Sequence, residues 1–268
     1  MAIRQFRAAT QSLALAPLRR GLVALGSASL VAMMSACSND ASTVAQANHG
    51  GTAAAGGTIE GRVTVHGPLP AVEPIRMGVD PTCAQVAGSA PTNDEVIVAA
   101  DGALANAFVY IKSGLEPGHG FAVPTSTVVL DQRGCRFVPR VLGVRTHQTL
   151  EVVNSDPTEH NVHGQPGPNG QFNRLQPLQG MRETHVFTVP EVMLRITCDV
   201  HPWMSAFVGV LDHPFFAVTS TDGRFMLTGV PDGHYILEMW HERLGKVTAE
   251  ATIADQQTAL ADFTIDSK

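Results

Sequence analysis

The segment CDVHPWM, from Cys198 to Met204, places three side chains that bind soft metal ions within one short run of sequence. Cys198 offers a thiolate, His201 an imidazole and Met204 a thioether. A thiolate and two imidazoles in a trigonal plane, with a long and weak axial thioether, form a type 1 copper site. The segment therefore provides every ligand of such a site except the second imidazole. Zinc is the alternative metal, but a thioether is a soft ligand that favours copper.

A tight loop between two strands lets Cys198, His201 and Met204 converge on one point. The missing second imidazole should then come from another strand that ends at the same pole of the barrel. The segment EVVNSDPTEHNVHG offers His160 and His163 directly after an apolar strand pattern. Alone, either histidine would more often be a solvated loop residue than a ligand. The alternatives without a metal are that Met204 fills the core and that Cys198 is an inert buried thiol.

The elements that must position these residues are expected to be short strands. Charged residues make up 16% and aromatic residues 6% of the chain, and 25 glycines and 17 prolines are spread along it without a strict period. Such a composition is typical of many strands joined by turns, and no helical pattern competes with the apolar alternation. An all-β protein is therefore predicted. Its strand-like segments include GTIEGRVTV, EVIVA, NAFVYIKSG, STVVLDQ, VLGVRTHQTLEVV, RETHVFTVPEVMLRITC, AFVGVL, GRFMLTGV, GHYILEMWHE, VTAEATIA and ALADFTI.

HNVH followed by CDVHPWM resembles the small cupredoxins, amicyanin above all, whose short ligand loop has the pattern CxxHPxM. The resemblance covers residues 124 to 211. It implies that His160 is the first imidazole ligand and that His163 is a neighbour. It also implies that Asn161 ties the two ligand loops together by hydrogen bonds.

The same resemblance implies a route for electrons. In small blue copper proteins the second imidazole, here His201, presents its ring edge at the surface. Pro202 and Trp203 would lie beside it, with Trp203 as part of the surface port. Met204 would be the axial ligand that tunes the reduction potential.

The last block of sequence resembles a different family. Its DGRF and PDGHY turns are similar to the second half of a carboxypeptidase regulatory-like, transthyretin-type β-sandwich, and GTIEGRVTVHGPLP and NAFVYI resemble the opening strands of that family. We therefore predict a discontinuous sandwich of residues 57–118 and 213–268, with a cupredoxin-like copper domain at 119–212 inserted in it. Two or three consecutive β-domains are the alternative.

The first 36 residues differ in kind from the rest, because they carry four arginines, no acidic residue and the apolar stretch GLVALGSASLVAMM. That stretch is too short to span a bilayer comfortably and is typical of an export signal. MSAC resembles a bacterial lipobox, which predicts a signal peptide at 1–36 and lipidation of Cys37. Plain cleavage or an uncleaved anchor is the alternative. Residues 37–56 are expected to form a flexible linker.

The remaining cysteines are an even pair if Cys37 carries lipid and Cys198 carries copper. In an oxidising compartment Cys83 and Cys135 are then expected to form a disulfide that joins the outer sandwich to the insert. Free thiols near a second copper site are the alternative.

His213 and His241 lie at the ends of strand-like segments, in DHPFF and MWHE. Neither has a partner at a metal-binding spacing, so both are expected to serve packing or an interface. The sequence also lacks a Ser-His-Asp order, HExxH and a glycine-rich phosphate loop, and we expect no enzyme activity.

The charge balance is acidic, with a formal net charge of −6 that becomes about −10 once the four arginines of the first segment are removed. This disfavours nucleic acid as a partner and favours a basic protein surface. We expect an exported type 1 copper protein on the periplasmic side of a bacterial envelope, attached to the outer membrane only through its lipid. It would exchange one electron, as Cu(I)/Cu(II), with a c-type cytochrome or a periplasmic oxidoreductase.

Two other functions stay open at this point. The first is a copper-binding or storage protein, or a surface-recognition module, without electron transfer. The second is a copper enzyme, which would need an open coordination position.

Overall fold

Short strands dominate the part of the chain that this computed structural model describes, namely residues 56–88, 91–118, 120–165 and 167–267. The all-β prediction is confirmed, with seventeen strands and one short helix within those ranges. The predicted signal peptide, Cys37 and nearly all of the linker lie outside the described residues. The strands are β1 (Gly57–His66), β2 (Phe108–Ser113), β3 (Val128–Gln132), β4 (Phe137–Val138), β5 (Val141–Arg145), β6 (Thr149–Asn154), β7 (His160–Gly164), β8 (Phe172–Gln176), β9 (Arg182–Val186), β10 (Glu191–Thr197), β11 (Ser205–Leu211), β12 (Phe216–Val218), β13 (Arg224–Val230), β14 (Gly233–His241), β15 (Gly245–Ile253), β16 (Thr258–Leu260) and β17 (Phe263–Asp266).

Two four-stranded sheets are built from strands at both ends of the described chain. In one sheet β1 lies between β13 and β16 and also pairs with β17, and the other has the order β12–β2–β14–β15. The period of two in their sequences explains the burial: Phe225 and Leu227 of β13 are buried, whereas Arg224, Met226 and Thr228 are exposed. The inward side chains of both sheets form one hydrophobic cluster.

Strands β3 to β11 form two further sheets. One has the order β5–β11–β10–β7–β8 and the other β4–β3–β6–β9, and their apolar faces share a second cluster. The boundaries predicted at 118/119 and 212/213 fall in the two connections between these strands and the outer ones. The division into separate domains stays a prediction, since all described residues belong to one compact unit.

A pair of glycines lets the two groups of strands approach closely. Gly143 of β5 is paired with Gly209 of β11. A Cβ atom on Gly143 would lie 2.2 Å from the ring of Phe216, and one on Gly209 would lie 2.3 Å from the ring of Phe108. The two rings stack with their centroids 5.7 Å apart. Because Gly143 and Gly209 have no side chains, β5 and β11 leave the space in which both rings pack.

Arg145, at the end of β5, fixes both connections between the two groups. Its buried guanidinium donates hydrogen bonds to the carbonyl of Phe121 at 3.2 Å and to that of Asp212 at 2.7 Å. Phe121 lies in the connection from β2 to β3, and Asp212 lies in the connection from β11 to β12. One buried cation thus holds the two crossings side by side.

Two elements differ from the sequence-based expectation. EVIVA is not a strand, because the chain reverses at Gly102 (φ +85°) and leaves only an isolated bridge between Val98 and Leu104. A short helix, α1 (Pro81–Val86), was not expected. The side chain of Asp80 caps it, accepting hydrogen bonds from the backbone N–H groups of Thr82 at 2.7 Å and Cys83 at 3.3 Å.

No helix within the described ranges is both long and apolar enough to cross a membrane.

Candidate metal centre

The segment from Cys198 to Met204 forms a tight loop between the antiparallel strands β10 and β11. Two backbone hydrogen bonds close it: the N–H of Cys198 donates to the carbonyl of Met204 at 3.4 Å, and the N–H of Met204 donates to the carbonyl of His201 at 2.9 Å. Cys198, His201 and Met204 are all buried. The loop therefore turns its three soft or nitrogenous donors inward and away from water.

His160 is the first residue of β7, the strand next to β10, and it is fully buried. Its Nδ1 lies 3.0 Å from Nδ1 of His201, and Nδ1 of His201 lies 3.8 Å from Sγ of Cys198. The donor atoms of these three residues all lie within 4.8 Å of one another. Two distant parts of the sequence are thus brought to one point.

The outer nitrogen of each imidazole faces a carboxylate. Nε2 of His160 is 3.0 Å from Oδ2 of Asp156, and Nε2 of His201 is 3.0 Å from Oδ2 of Asp80. Because an ionised carboxylate can only accept, Nε2 of each ring carries the proton. A carboxylate on the outer nitrogen is a common way to orient a histidine that binds a metal.

The two inner nitrogens, Nδ1 of His160 and Nδ1 of His201, are placed as a pair of metal ligands would be. With a proton on each Nε2, a neutral ring presents its lone pair on Nδ1. Two lone pairs cannot face each other at 3.0 Å unless a proton or a cation lies between the nitrogens. Two imidazole nitrogens and one sulfur directed at a shared point are a donor set that suits copper.

The pKa shifts of the cluster describe its metal-free form, in which the two imidazoles retain protons that a metal ion would have to displace. Burial alone would raise the pKa of Cys198, but hydrogen bonds from His160 and His201 outweigh it and lower the pKa to about 6. Burial alone would lower the pKa of His160, but Asp156 and Cys198 raise it to about 9. The pKa of His201 is also raised, since Cys198 and Asp80 outweigh the effect of burial. The thiolate is the form of cysteine that binds metals.

Asp156 and Asp80 were missed by sequence reasoning, although each has a recognisable context. Asp156 lies four residues before His160 and is itself held by the backbone N–H groups of Gly134 and Cys135, both at 2.8 Å. Burial would raise the pKa of Asp156, but these bonds and the bond from His160 lower it. Asp80 precedes a proline in DPTC, which is the sequence signal of a helix start.

Asn161 lies between the two ligand segments. Its side-chain oxygen accepts from the backbone N–H of Asp199 at 2.5 Å, and its amide donates to Oδ1 of Asn173 at 2.6 Å. His163, two residues on, contacts Oδ1 of Asp199 at 2.8 Å and the side chain of Gln171 at 2.7 Å. Its ring nitrogens are therefore engaged outside the cluster.

Met204 belongs to the same hydrophobic cluster as Cys198, and its side chain is 1% exposed. Its assignment as the axial ligand stays a prediction.

The expectation that the ring edge of His201 lies at the surface is wrong, since this residue is only 1% exposed. Asp80 and Cys83 of helix α1 both lie against Nε2 of this ring. Trp203 is half-buried rather than a free surface ring, and its Nε1–H donates to the carbonyl of Cys135 at 3.0 Å. The covering residues come from a part of the chain outside the cupredoxin-like pattern, so that pattern gave no sign of them.

Cys83 and Cys135 are joined by a disulfide. The bond links α1 to the turn between β3 and β4, and Sγ of Cys83 lies 3.4 Å from Nε2 of His201. The disulfide therefore packs directly against the outer edge of that imidazole.

His213 and His241 are buried elsewhere, and neither belongs to a cluster of metal-binding side chains among the residues that the structure describes. Nδ1 of His213 accepts from the backbone N–H of Phe215 at 3.3 Å, and Nδ1 of His241 accepts from that of Arg243 at 3.3 Å. Burial lowers the pKa of both histidines to about 4.

No family model matches this chain, and no curated protein matches it significantly. Part of the chain is similar to solved structures. A Cu-containing nitrite reductase (NirK) from Thermus scotoductus SA-01 is 24% identical with a TM-score of 0.29, over 38% of this chain and 26% of the reductase, so this chain spans about a quarter of its length. The Cu(I) form of an amicyanin mutant is 23% identical with a TM-score of 0.29, over 38% of this chain and 97% of amicyanin. A purple cupredoxin from Nitrosopumilus maritimus is 23% identical with a TM-score of 0.27, over 32% of this chain and 98% of that protein.

Proposed function

We propose that this protein is a cupredoxin-type copper protein that transfers single electrons. The observation that carries the proposal is the convergence of Nδ1 of His160, Nδ1 of His201 and Sγ of Cys198, with each outer nitrogen tied to a carboxylate. Copper bound there would supply a Cu(I)/Cu(II) couple. Met204 is the proposed axial ligand, so the centre would be of type 1.

The surroundings of the three donors suit electron transfer. Asp156 and Asp80 hold the two rings from behind, and the short loop fixes Cys198 relative to His201. A cage that the protein holds in place needs little rearrangement when one electron is gained or lost. No open coordination position is invoked, and the protein is proposed as a carrier rather than an enzyme.

The proposed location and partner rest on the sequence. An arginine-containing apolar segment ahead of Cys37 supports export and lipid attachment on the periplasmic side of a bacterial envelope. The acidic balance of the remaining chain supports attraction to a basic redox protein, such as a c-type cytochrome or a periplasmic oxidoreductase. The outer sheets, with β1, β2 and β12 to β17, are proposed to be the carboxypeptidase regulatory-like sandwich.

Copper storage without electron transfer is the second candidate, and the burial of His201 favours it. A carrier usually needs one ligand close to the surface, whereas a site closed on all sides retains its ion well. Storage and transfer differ in the spectrum and in the electrochemistry of the copper-loaded protein.

Copper loading tests the proposal. The protein with Cu(II) is expected to absorb strongly in the visible, through charge transfer from the Cys198 thiolate, and to show a reversible one-electron potential. Cys198→Ser should abolish the absorption, whereas His163→Gln should keep it, because His163 contacts Asp199 and Gln171 and not the cluster. A Cys198→Ser spectrum identical to that of the unaltered protein would contradict the proposal, and a copper protein without colour or reversible potential would favour storage.

A further inference from the structure

The segment Ile75–Ala87, named here the capping segment, lies outside the strands that carry the metal ligands but packs on their core. Met77 and Cys83 are buried in the cluster formed by β3 to β11, and Ile75 and Ala87 pack against the same cluster. Helix α1 is part of this segment, and Asp80 stands at its start. The segment therefore approaches the centre from a distant part of the chain.

Two attachments fix the capping segment over His201. The disulfide between Cys83 and Cys135 fastens α1 to the turn after β3. Asp80 is fixed by its own hydrogen bonds, since Oδ1 caps α1 and Oδ2 accepts from the hydroxyl of Thr158 at 3.0 Å. Asp80 is thus a held carboxylate, and not an exposed side chain that happens to lie near a histidine.

The two oxygens of Asp80 have separate tasks. Oδ1 faces the backbone N–H groups of α1, whereas Oδ2 lies 3.0 Å from Nε2 of His201. Because Oδ2 accepts the Nε2–H of the ring, it keeps the proton on the outer nitrogen. The lone pair of Nδ1 is then available to a metal ion. The ring is then held in the tautomer that a metal ion at the cluster requires.

We propose that Asp80 is a positioning residue for His201, and that the capping segment closes the outer edge of this imidazole against solvent and partners. The inference rests on the proposed function only in taking copper as the metal. The contacts of Asp80 do not depend on that choice. The inference gives the chain a covered histidine ligand that is oriented by a carboxylate from another part of the fold. Partners must therefore reach the centre by another face of the ligand loop, where Val200 and Pro202 are exposed.

Asp80→Asn tests the positioning role, because asparagine keeps the cap of α1 through its Oδ1 but places an NH₂ group where Oδ2 accepts. In the metal-free protein, proton and nitrogen NMR should show one protected Nε2–H signal for His201 and one for His160. Asp80→Asn is expected to remove the His201 signal and to leave that of His160, whose partner is Asp156. Copper affinity of this variant should fall about 10- to 100-fold.

Two results would overturn the inference: an unchanged Nε2–H signal of His201 in Asp80→Asn, or a copper affinity equal to that of the unaltered protein. Asp101→Asn is the matched control, since Asp101 pairs with Arg62 and has no contact with the cluster. It should change neither reading. The NMR reading needs no metal, so a colourless copper protein with the expected NMR change would contradict electron transfer and still support the positioning role of Asp80.

The covering role has its own measurement. Diethyl pyrocarbonate should modify His66 and His234, whose side chains are 81% and 60% exposed, well before His201 in the unaltered metal-free protein. Asp80→Ala should bring the modification of His201 forward relative to these two internal references. Modification of His201 as early as His66 in the unaltered protein would show that its edge is open and would overturn the covering role.

Discussion

Two pairs of buried histidines in this chain have opposite surroundings. His160 and His201 each have a carboxylate on Nε2, and both have a raised pKa. His213 and His241 each accept a backbone N–H on Nδ1 and have a pKa lowered to about 4. Among the described residues no carboxylate contacts Nε2 of either ring. Burial is similar in all four.

The difference shows that burial alone does not make a histidine a ligand. A backbone N–H on Nδ1 occupies the lone pair that a metal would need, and the neutral ring then serves packing. A carboxylate on Nε2 frees Nδ1 and supports positive charge beside the ring. The partner of each nitrogen, more than the depth of the ring, therefore separates the candidate ligands from the structural histidines.

The largest effect should come from removing one candidate ligand. His160→Asn is expected to weaken copper binding by at least about 100-fold, because it removes a donor of the cluster itself. His213→Asn is the matched change in the other pair and should leave the affinity unaltered, since Nδ1 of His213 is occupied by a backbone N–H. Competition with a chelator of known copper affinity measures both. Equal losses in the two variants would break the comparison.

A smaller effect is expected from Asp156→Asn. An amide can no longer accept the Nε2–H of His160 with a charged oxygen, and the backbone bonds from Gly134 and Cys135 are weakened as well. Copper affinity should fall about 10- to 100-fold, less than in His160→Asn. Competition titration and the visible spectrum check this. An affinity within error of the unaltered protein would mean that the carboxylate does not orient the ring.

The smallest effect concerns stability against pH in the metal-free protein. The pKa of His213 is lowered from its ordinary 6.5 to about 4 in the folded chain. As the pH falls, His213 therefore takes up a proton in the unfolded chain before it does so in the folded chain. The free energy of unfolding decreases between pH 6.5 and 4 for this reason. His160 behaves oppositely: its pKa of about 9 gives stability that is present below pH 6.5 and is lost as the pH rises through 9.

His213→Asn isolates the acid-side part, because the amide oxygen can still accept the N–H of Phe215 but does not titrate. The difference in free energy of unfolding between the two proteins should change by about 1 kcal/mol for each pH unit from 6.5 to 4.5. Urea titrations at several pH values measure it. A constant difference would show that His213 is not held neutral.

The sequence was a good guide to the strands and to the ligand loop. Alternation with a period of two is a local property, and CDVHPWM forms a tight loop between two strands through its own backbone hydrogen bonds. His160 and His163 could be proposed because they directly follow an apolar strand pattern, and the resemblance to cupredoxins singled out His160. Each of these features depends on neighbours that are close in sequence.

The covering of His201 could not be predicted in this way. The contact joins Asp80 to a residue 121 positions further along the chain. Neither the helix signal in DPTC nor the ligand pattern in CDVHPWM contains any information about the other. EVIVA failed for a different and local reason, because the turn at Gly102 leaves it only an isolated bridge to the nearby Leu104.

The sulfur atoms around His201 have a consequence for assembly. Cys83 and Cys135 lie on one side of this imidazole and Cys198 lies on another, so three thiols meet around a single ring in the reduced chain. Three pairings are available to them on oxidation, and only the pairing of Cys83 with Cys135 leaves Cys198 free. A preparation oxidised through either of the other pairings would lose the candidate metal-binding thiolate of Cys198 while keeping its mass. Each pairing leaves one of these three thiols free, so the first check on a sample that fails to take up copper is to identify the free cysteine, by alkylation and peptide mass mapping.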